Sequence, residues 1–460
     1  MNRSFIWLLF IVPLLLLAVG CSGGGDGPEG PAGLKGGKST GGGEKTPKEE
    51  PAGPQEEDPA AIAELEKLGA KLEKNDQGQV VSVNLDDVEI RNSDMRFLEG
   101  TPFVESFSAV GTALTDAGLK RLKPLRQLKS LTLFRTAIRG DAFAELTTFK
   151  NLDYLGLAGT QVTDAGLENL KQFPALTVLD LRFTPDVTDA GIAYVAGLAN
   201  LKQLNLQGSP ITDAAIEHLA KMKQLEGLYL KDTFVSDQGL KNVGKLTGLK
   251  QLSLAGTQIT DAGLADVKAL QSLEELDLSQ NAGITSAGME HLNDLKGLKI
   301  LGLQATFVRD AGLEQLKGFK NLEQLDLAHT DISDAGLEQL KHRTTLEWLN
   351  LSGTQITDAG LAQLQPLTGL TELHLSLTRV TDAGIEQLKP LVNLRSLGLD
   401  RTAITDAALA QLAEFKNLQE LFIEDTNVTP EAVDKLKTAL PELKVWQTEF
   451  DSLPPSKDVE

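Results

Sequence analysis

The chain has one cysteine in 460 residues, Cys21. Without a second thiol it has no internal disulfide, and a metal site or nucleophile built from cysteine downstream of that position is excluded. The five histidines (His218, His291, His329, His342 and His374) are scattered without the spacing of metal ligands. Aromatic residues make up 5% of the chain, so the core must be aliphatic, and leucine supplies most of it. Bases are short too: 44 Lys and Arg stand against 64 Asp and Glu, a net charge of −20. That balance argues against the basic stripe a nucleic-acid binder needs and against electrostatic attraction to anionic lipid. It suits a soluble, self-repelling surface. There is no G-x-S-x-G elbow, no phosphate loop and no metal-spaced His/Asp/Glu group, so neither catalysis nor a cofactor is expected.

The first residues read as an address. Asn2 and Arg3 precede an apolar run from Phe5 to Val19. The run is shorter than the roughly 20 residues of a membrane span and fits a secretory signal over residues 1–20. Ala18-Val19-Gly20-Cys21 resembles the lipobox of bacterial lipoproteins. The resemblance implies cleavage before Cys21 and a lipid on its sulfur, which would tether the protein to a membrane at the cell envelope. Ser22, in place of the Asp that retains some lipoproteins at the inner membrane, leans towards the outer one. Residues 21–57 are rich in Gly, Pro, Glu and Lys and nearly free of apolar side chains, so a disordered linker is expected.

A repeat occupies most of the remaining chain. Thr-Asp-Ala-Gly-Leu starts at Thr115, Thr163, Thr260 and Thr357, with variants between, and the Asp column recurs every 24 residues with two steps of 25. The unit reads L-x-x-L-x-L-x-x-T-x-I-T-D-A-G-L-x-x-L-x-x-L-x-x, as in Leu152, Leu155, Leu157, Thr160, Thr163, Asp164, Gly166 and Leu167. The alternation of L-x-L predicts a short strand. The Thr160 column is expected to bond the buried backbone of the bend after it. Thr163 reads as a helix N-cap, and Asp164 in the first turn suits the positive end of the helix dipole. Glycine is costly inside a helix, so the recurrence of Gly166, Gly191, Gly263 and their equivalents suggests a close approach by neighbouring helices or strand backbone.

This pattern resembles the leucine-rich-repeat superfamily over residues 80–446, with about fifteen repeats. The resemblance implies an α/β solenoid, a ribonuclease-inhibitor-like horseshoe with a parallel sheet on the concave face and helices on the convex one. Strands about 4.8 Å apart would give an inner arc of roughly 70 Å. A helix in every unit implies strong curvature. Residues 58–79 read as an N-terminal capping helix, with Asp58 as N-cap, Pro59 in the first turn and an apolar stripe of Ile62, Leu65, Leu68 and Leu72. Trp446 is expected to shield the last strand, and residues 447–460 form a polar tail.

Members of the superfamily usually bind other proteins on the inner sheet face, so a protein or peptide ligand is the expected partner, and a monomeric chain is expected. Five variable strand positions per repeat form that face, and their charge is mixed and net acidic. Large side chains there are the candidate binding residues. Phe134 and Tyr154 lie in adjacent repeats, and Tyr229 stands beside Lys231 and Asp232. The densest group is Trp348, His374 and Leu377, with His329, Arg401 and Phe422 nearby. Two other roles fit the sequence: a structural envelope spacer or adhesin, and a part like that of F-box ubiquitin-ligase adaptors, whose repeats are similar but whose F-box is not seen here.

Overall fold

The computed structural model describes residues 56–447; Cys21, the signal, most of the linker and nearly all of the polar tail lie outside the described residues. The described chain is a solenoid whose strands form one 17-stranded sheet. From Val80–Asn84 onward every strand pairs in parallel with the next, one per repeat. Most strands are three residues long, and their central residues stand in register: Leu155 beside Leu179, Leu349 beside Leu373, Leu397 beside Leu421. Those residues and the leucines of the following bend and helix make one continuous aliphatic core. The expected α/β leucine-rich-repeat architecture is the one observed.

The first turn departs from expectation. The helix covers only Pro59–Leu68, with Asp58 accepting the Ala60 N–H, and stops at Gly69, whose φ is +97°. The N–H groups of Gly69 and Ala70 close on Glu66 and Leu65, a left-handed C-cap that ends the helix. Leu72 therefore belongs not to a helical stripe but to a strand, Lys71–Lys74, paired antiparallel with Val80–Asn84. A hairpin rather than a longer helix begins the sheet.

The convex layer is also less uniform than one helix per unit. Helices run from four residues (Asp358–Leu361) to ten (Pro430–Ala439), and the units at Asp94–Gly100, Asp141–Glu145 and Gly288–Leu292 have only 3-10 turns. All three fall where the Thr-Asp pair is broken, at Arg91-Asn92, Arg139-Gly140 and Thr285-Ser286.

The two polar columns have distinct jobs. The Thr160 hydroxyl donates to the Leu157 carbonyl at 2.6 Å, and its equivalents do the same along the bend. Asn281 takes a Thr place and donates to three carbonyls, those of Leu254, Leu278 and Ser279. The Asp column reaches into the next repeat. Asp358 accepts both the N–H and the hydroxyl of Thr381, each at 2.7 Å. The same two-point latch joins Asp164, Asp189, Asp213, Asp237, Asp261, Asp310, Asp334, Asp382 and Asp406 to the N-cap of the following helix.

The recurrent helical glycine lies against this latch, although Ala215 and Ala408 take its place beside intact latches. A Cβ on Gly384 would stand 2.5 Å from the Asp358 carboxylate. Gly191, Gly263 and Gly336 face Asp164, Asp237 and Asp310 in the same way. The close neighbour is thus a side chain from the preceding repeat. Gly166 differs, because a Cβ there would collide with the Arg139 carbonyl of the backbone.

Candidate functional site

The concave face is built from the outward residues of each three-residue strand and the second and third positions after it. One of those two positions is left-handed in every repeat: Gly159, Gly208, Gly256 and Gly353 take it in some, and Arg135, Phe183, His329, Leu377 and Arg401 in others. A non-glycine residue pays about 1–2 kcal/mol there. His329, Leu377 and Arg401 therefore belong to a row of turn positions along one lip of the face, not to the sheet floor. Leu377 is 45% exposed, His329 lies over Gly353, and Arg401 pairs with Asp425 at 3.0 Å.

On the floor, rings of the last repeats meet. Trp348 and His374 have centroids 5.5 Å apart, His374 and Phe422 6.5 Å, and Phe422 stacks on Trp446 at 6.1 Å and 10°. His374, Gly398, Phe422 and Trp446 are register partners across four adjacent strands. The rings of His374 and Phe422 touch across Gly398 because that strand has no side chain between them; a Cβ there would lie 2.9 Å from the His374 ring. Trp348 is nearly covered and Trp446 is 39% exposed. Burial holds His374 down to about 4, so its ring is neutral at pH 7. Its approach to Glu372, 4.0 Å, is accordingly not an ion pair.

Trp446 is the member that sequence reasoning assigned elsewhere, as an edge shield. Its signal was available: it stands one repeat step beyond Phe422 and two beyond Gly398.

The other candidates fare differently. Tyr229 is 7% exposed, and its hydroxyl donates to Gln251 at 2.7 Å, so little of it is offered to a ligand. Phe134 and Tyr154 both lean over Gly156, and the Arg182 guanidinium lies 5.8 Å from the Phe134 ring centroid. Arg182 is itself neutralised by Asp180 at 2.8 Å, so this second group is electrostatically closed. Burial, with Asp180 next, pushes the Tyr154 hydroxyl up, keeping it protonated.

Carboxylates surround the C-terminal rings. Glu372 accepts a hydrogen bond from Trp348 and is held above the usual carboxylate range by burial and by the facing Glu420. Burial likewise raises Asp400. On the strand next to that of Trp348, Asp326 is 3% exposed and is pushed up to about 7, first by burial and then by Asp277, despite hydrogen bonds from the Ala328 N–H and Asn350. Among the described residues no cluster of three or more His, Cys, Asp or Glu is arranged to hold a metal ion, and no helix is long and apolar enough to cross a membrane.

Comparison with known proteins agrees with this geometry at the level of the fold. An internalin from Listeria monocytogenes shares 24% identity over 72% of this chain and 89% of its own, with a TM-score of 0.55. A leucine-rich-repeat protein from Leptospira interrogans matches 73% of this chain and 95% of its own at 21% identity and a TM-score of 0.49. A plant peptide hormone receptor in complex with RGF2 matches 82% of this chain and 67% of its own at 15% identity and a TM-score of 0.44. No curated protein sequence matches the chain. The model of the family described as leucine-rich repeat region matches residues 157–454, more than half of the chain, and to that family the protein belongs.

Proposed function

We propose that the protein is a non-catalytic recognition module that binds a protein or peptide on the concave face of its last repeats. The observation that carries this reading is the ring ladder His374–Phe422–Trp446 on the sheet floor, with the nearly covered Trp348 packed behind His374 as its support. Aromatic anchors set in a well-packed surface are where binding energy concentrates. The leucine-rich-repeat fold supports protein binding in general. We further propose that the module acts as a monomer, exported from a bacterial cell and held by lipid on Cys21, with the outer membrane as its site. This second part is supported by the sequence alone, through Ala18-Val19-Gly20-Cys21, the only cysteine and Ser22.

Selection of a phage-displayed random dodecapeptide library on the immobilised full chain tests the first part. Peptides so selected should lose binding to Phe422→Ala and Trp446→Ala, checked as folded by circular dichroism. Selected peptides that bind both variants as well as the parent would overturn it. Mass spectrometry of the mature N-terminus tests the second: an unmodified Cys21 removes the tether.

A further inference from the structure

The strand Ser396–Gly398 presents two small residues to the concave face, while the strands on either side present long ones. Register places Ser396 between Glu372 and Glu420, and Gly398 between His374 and Phe422. The result is a slot one strand wide, with two carboxylates facing across Ser396 at one end and two rings closing over Gly398 at the other. Glu372 and Glu420 are two strands apart, about 10 Å between backbones, and each is only half-buried.

Nothing in the slot neutralises them. Among the described residues neither Glu372 nor Glu420 forms an ion pair with Lys or Arg. Arg395 and Lys444 occupy neighbouring positions, Lys444 in register with Glu420, yet both are exposed and make no such pair. Elsewhere along the sheet some acids are matched across strands, while Glu275, in the same register column as Glu372, accepts the Gln251 side-chain amide instead. Glu226 bridges Lys202 and Lys250, and Glu274 pairs with Lys299. What sets Glu372 and Glu420 apart is that they face each other across Ser396, which offers neither an amide nor a positive charge. The adjoining His374 is neutral at pH 7 and adds no positive charge of its own.

We infer that this slot receives a cationic side chain, Arg or Lys, from an extended segment of a partner protein. The positive head lies between Glu372 and Glu420, where it relieves the repulsion of two partly desolvated carboxylates. Its aliphatic stem lies along the rings of His374 and Phe422, as long basic side chains do on apolar surface. The inference rests on the concave-face reading above and gives that face a ligand chemistry.

The same peptide selection tests it, with Glu372→Gln, Glu420→Gln and the double variant, which keep shape and hydrogen-bonding capacity and remove charge. Glu105→Gln, on the same face far from the slot, is the control. Selected peptides are expected to be enriched in Arg or Lys and to bind the double Gln variant about tenfold or more weakly, with the control unchanged and the affinity of the parent falling as salt is raised. Peptides that need Phe422 but carry no basic enrichment and tolerate both Gln substitutions would overturn the inference and leave the concave-face reading standing. Peptides indifferent to Phe422 and Trp446 as well would overturn both. A dimer in sedimentation that the double Gln variant abolishes would assign the slot to a second copy of this chain and also overturn the inference.

Discussion

Removing one carboxylate from the inter-repeat latch should weaken the solenoid locally by about 2 kcal/mol. Asp358→Ala is the cleanest case. Asp358 accepts two hydrogen bonds from Thr381, at its N–H and its hydroxyl, both at 2.7 Å. Hydrogen bonds to a charged group contribute about 1.5–3 kcal/mol each. Both groups are half-buried, and after substitution water reaches the Thr381 hydroxyl, so the net figure falls near 2 kcal/mol rather than the gross sum. Because a repeat touches only its neighbours, the loss should be confined to the junction on either side of Thr381. Urea unfolding followed by circular dichroism gives the total, and hydrogen exchange by mass spectrometry gives its location. The protein supplies the converse experiment. At one junction the latch carries Ser286, which accepts only the Arg309 N–H, at 2.9 Å, and Arg309 offers no side-chain cap. Ser286→Asp together with Arg309→Thr should restore the latch and add about 1–2 kcal/mol. If Asp358→Ala lies within about 0.5 kcal/mol of the parent, the Asp column is a solvated face and the latch does not hold the repeats together.

Three further outcomes are expected. Gly166→Ala should cost about 2 kcal/mol or more by overpacking, since its Cβ meets backbone at Arg139, whereas Gly384→Ala should be nearly neutral, because its Cβ meets a movable carboxylate and Ala215 and Ala408 already occupy that column; paired urea titrations check both. Asp326 has its folded pKa raised to about 7, so between about pH 4 and 7 the folded state holds a proton the unfolded chain releases, and stability falls as pH rises through that window. Asp326→Asn should flatten that decline when unfolding is compared at the two ends of the window. The His374 imidazole, held down to about 4, should still show neutral chemical shifts at pH 5.5 by NMR, and the contribution of its burial to stability should be lost as pH falls from about 6.5 towards 4.

Much of the fold was legible because its determinants are local and periodic. The strand, the bonding of the bend by the Thr160 column and the Thr163 cap each follow from residues within a few positions of one another. What failed to show were relations across one repeat step. Asp164 reads locally as a dipole partner; its hydrogen bonds are to Thr188 in the next unit. Gly191 was legible as a point of close approach, but the approaching group, the Asp164 carboxylate, was not. The left-handed row hid behind its substituents, since Leu377 and Arg401 look like chosen side chains until Gly159 and Gly353 are placed in the same column. At the site, size misled for Tyr229, whose hydroxyl is spent on Gln251, and emptiness was overlooked at Gly398. A residue's neighbours on this face lie one repeat away in sequence, so the slot appears only when small and large positions are compared between units.

The latch has a consequence for how such a chain changes length. Its donor is always the cap of one unit and its acceptor always the carboxylate of the unit before, so most junctions are chemically interchangeable. A duplicated or deleted stretch of coding sequence spanning one whole unit leaves every remaining carboxylate facing a cap. The chain is thus assembled like type set in a line, where any character seats against any other, while the few odd sorts, Gly140 and Ser286, mark places at which an insertion would not be seamless.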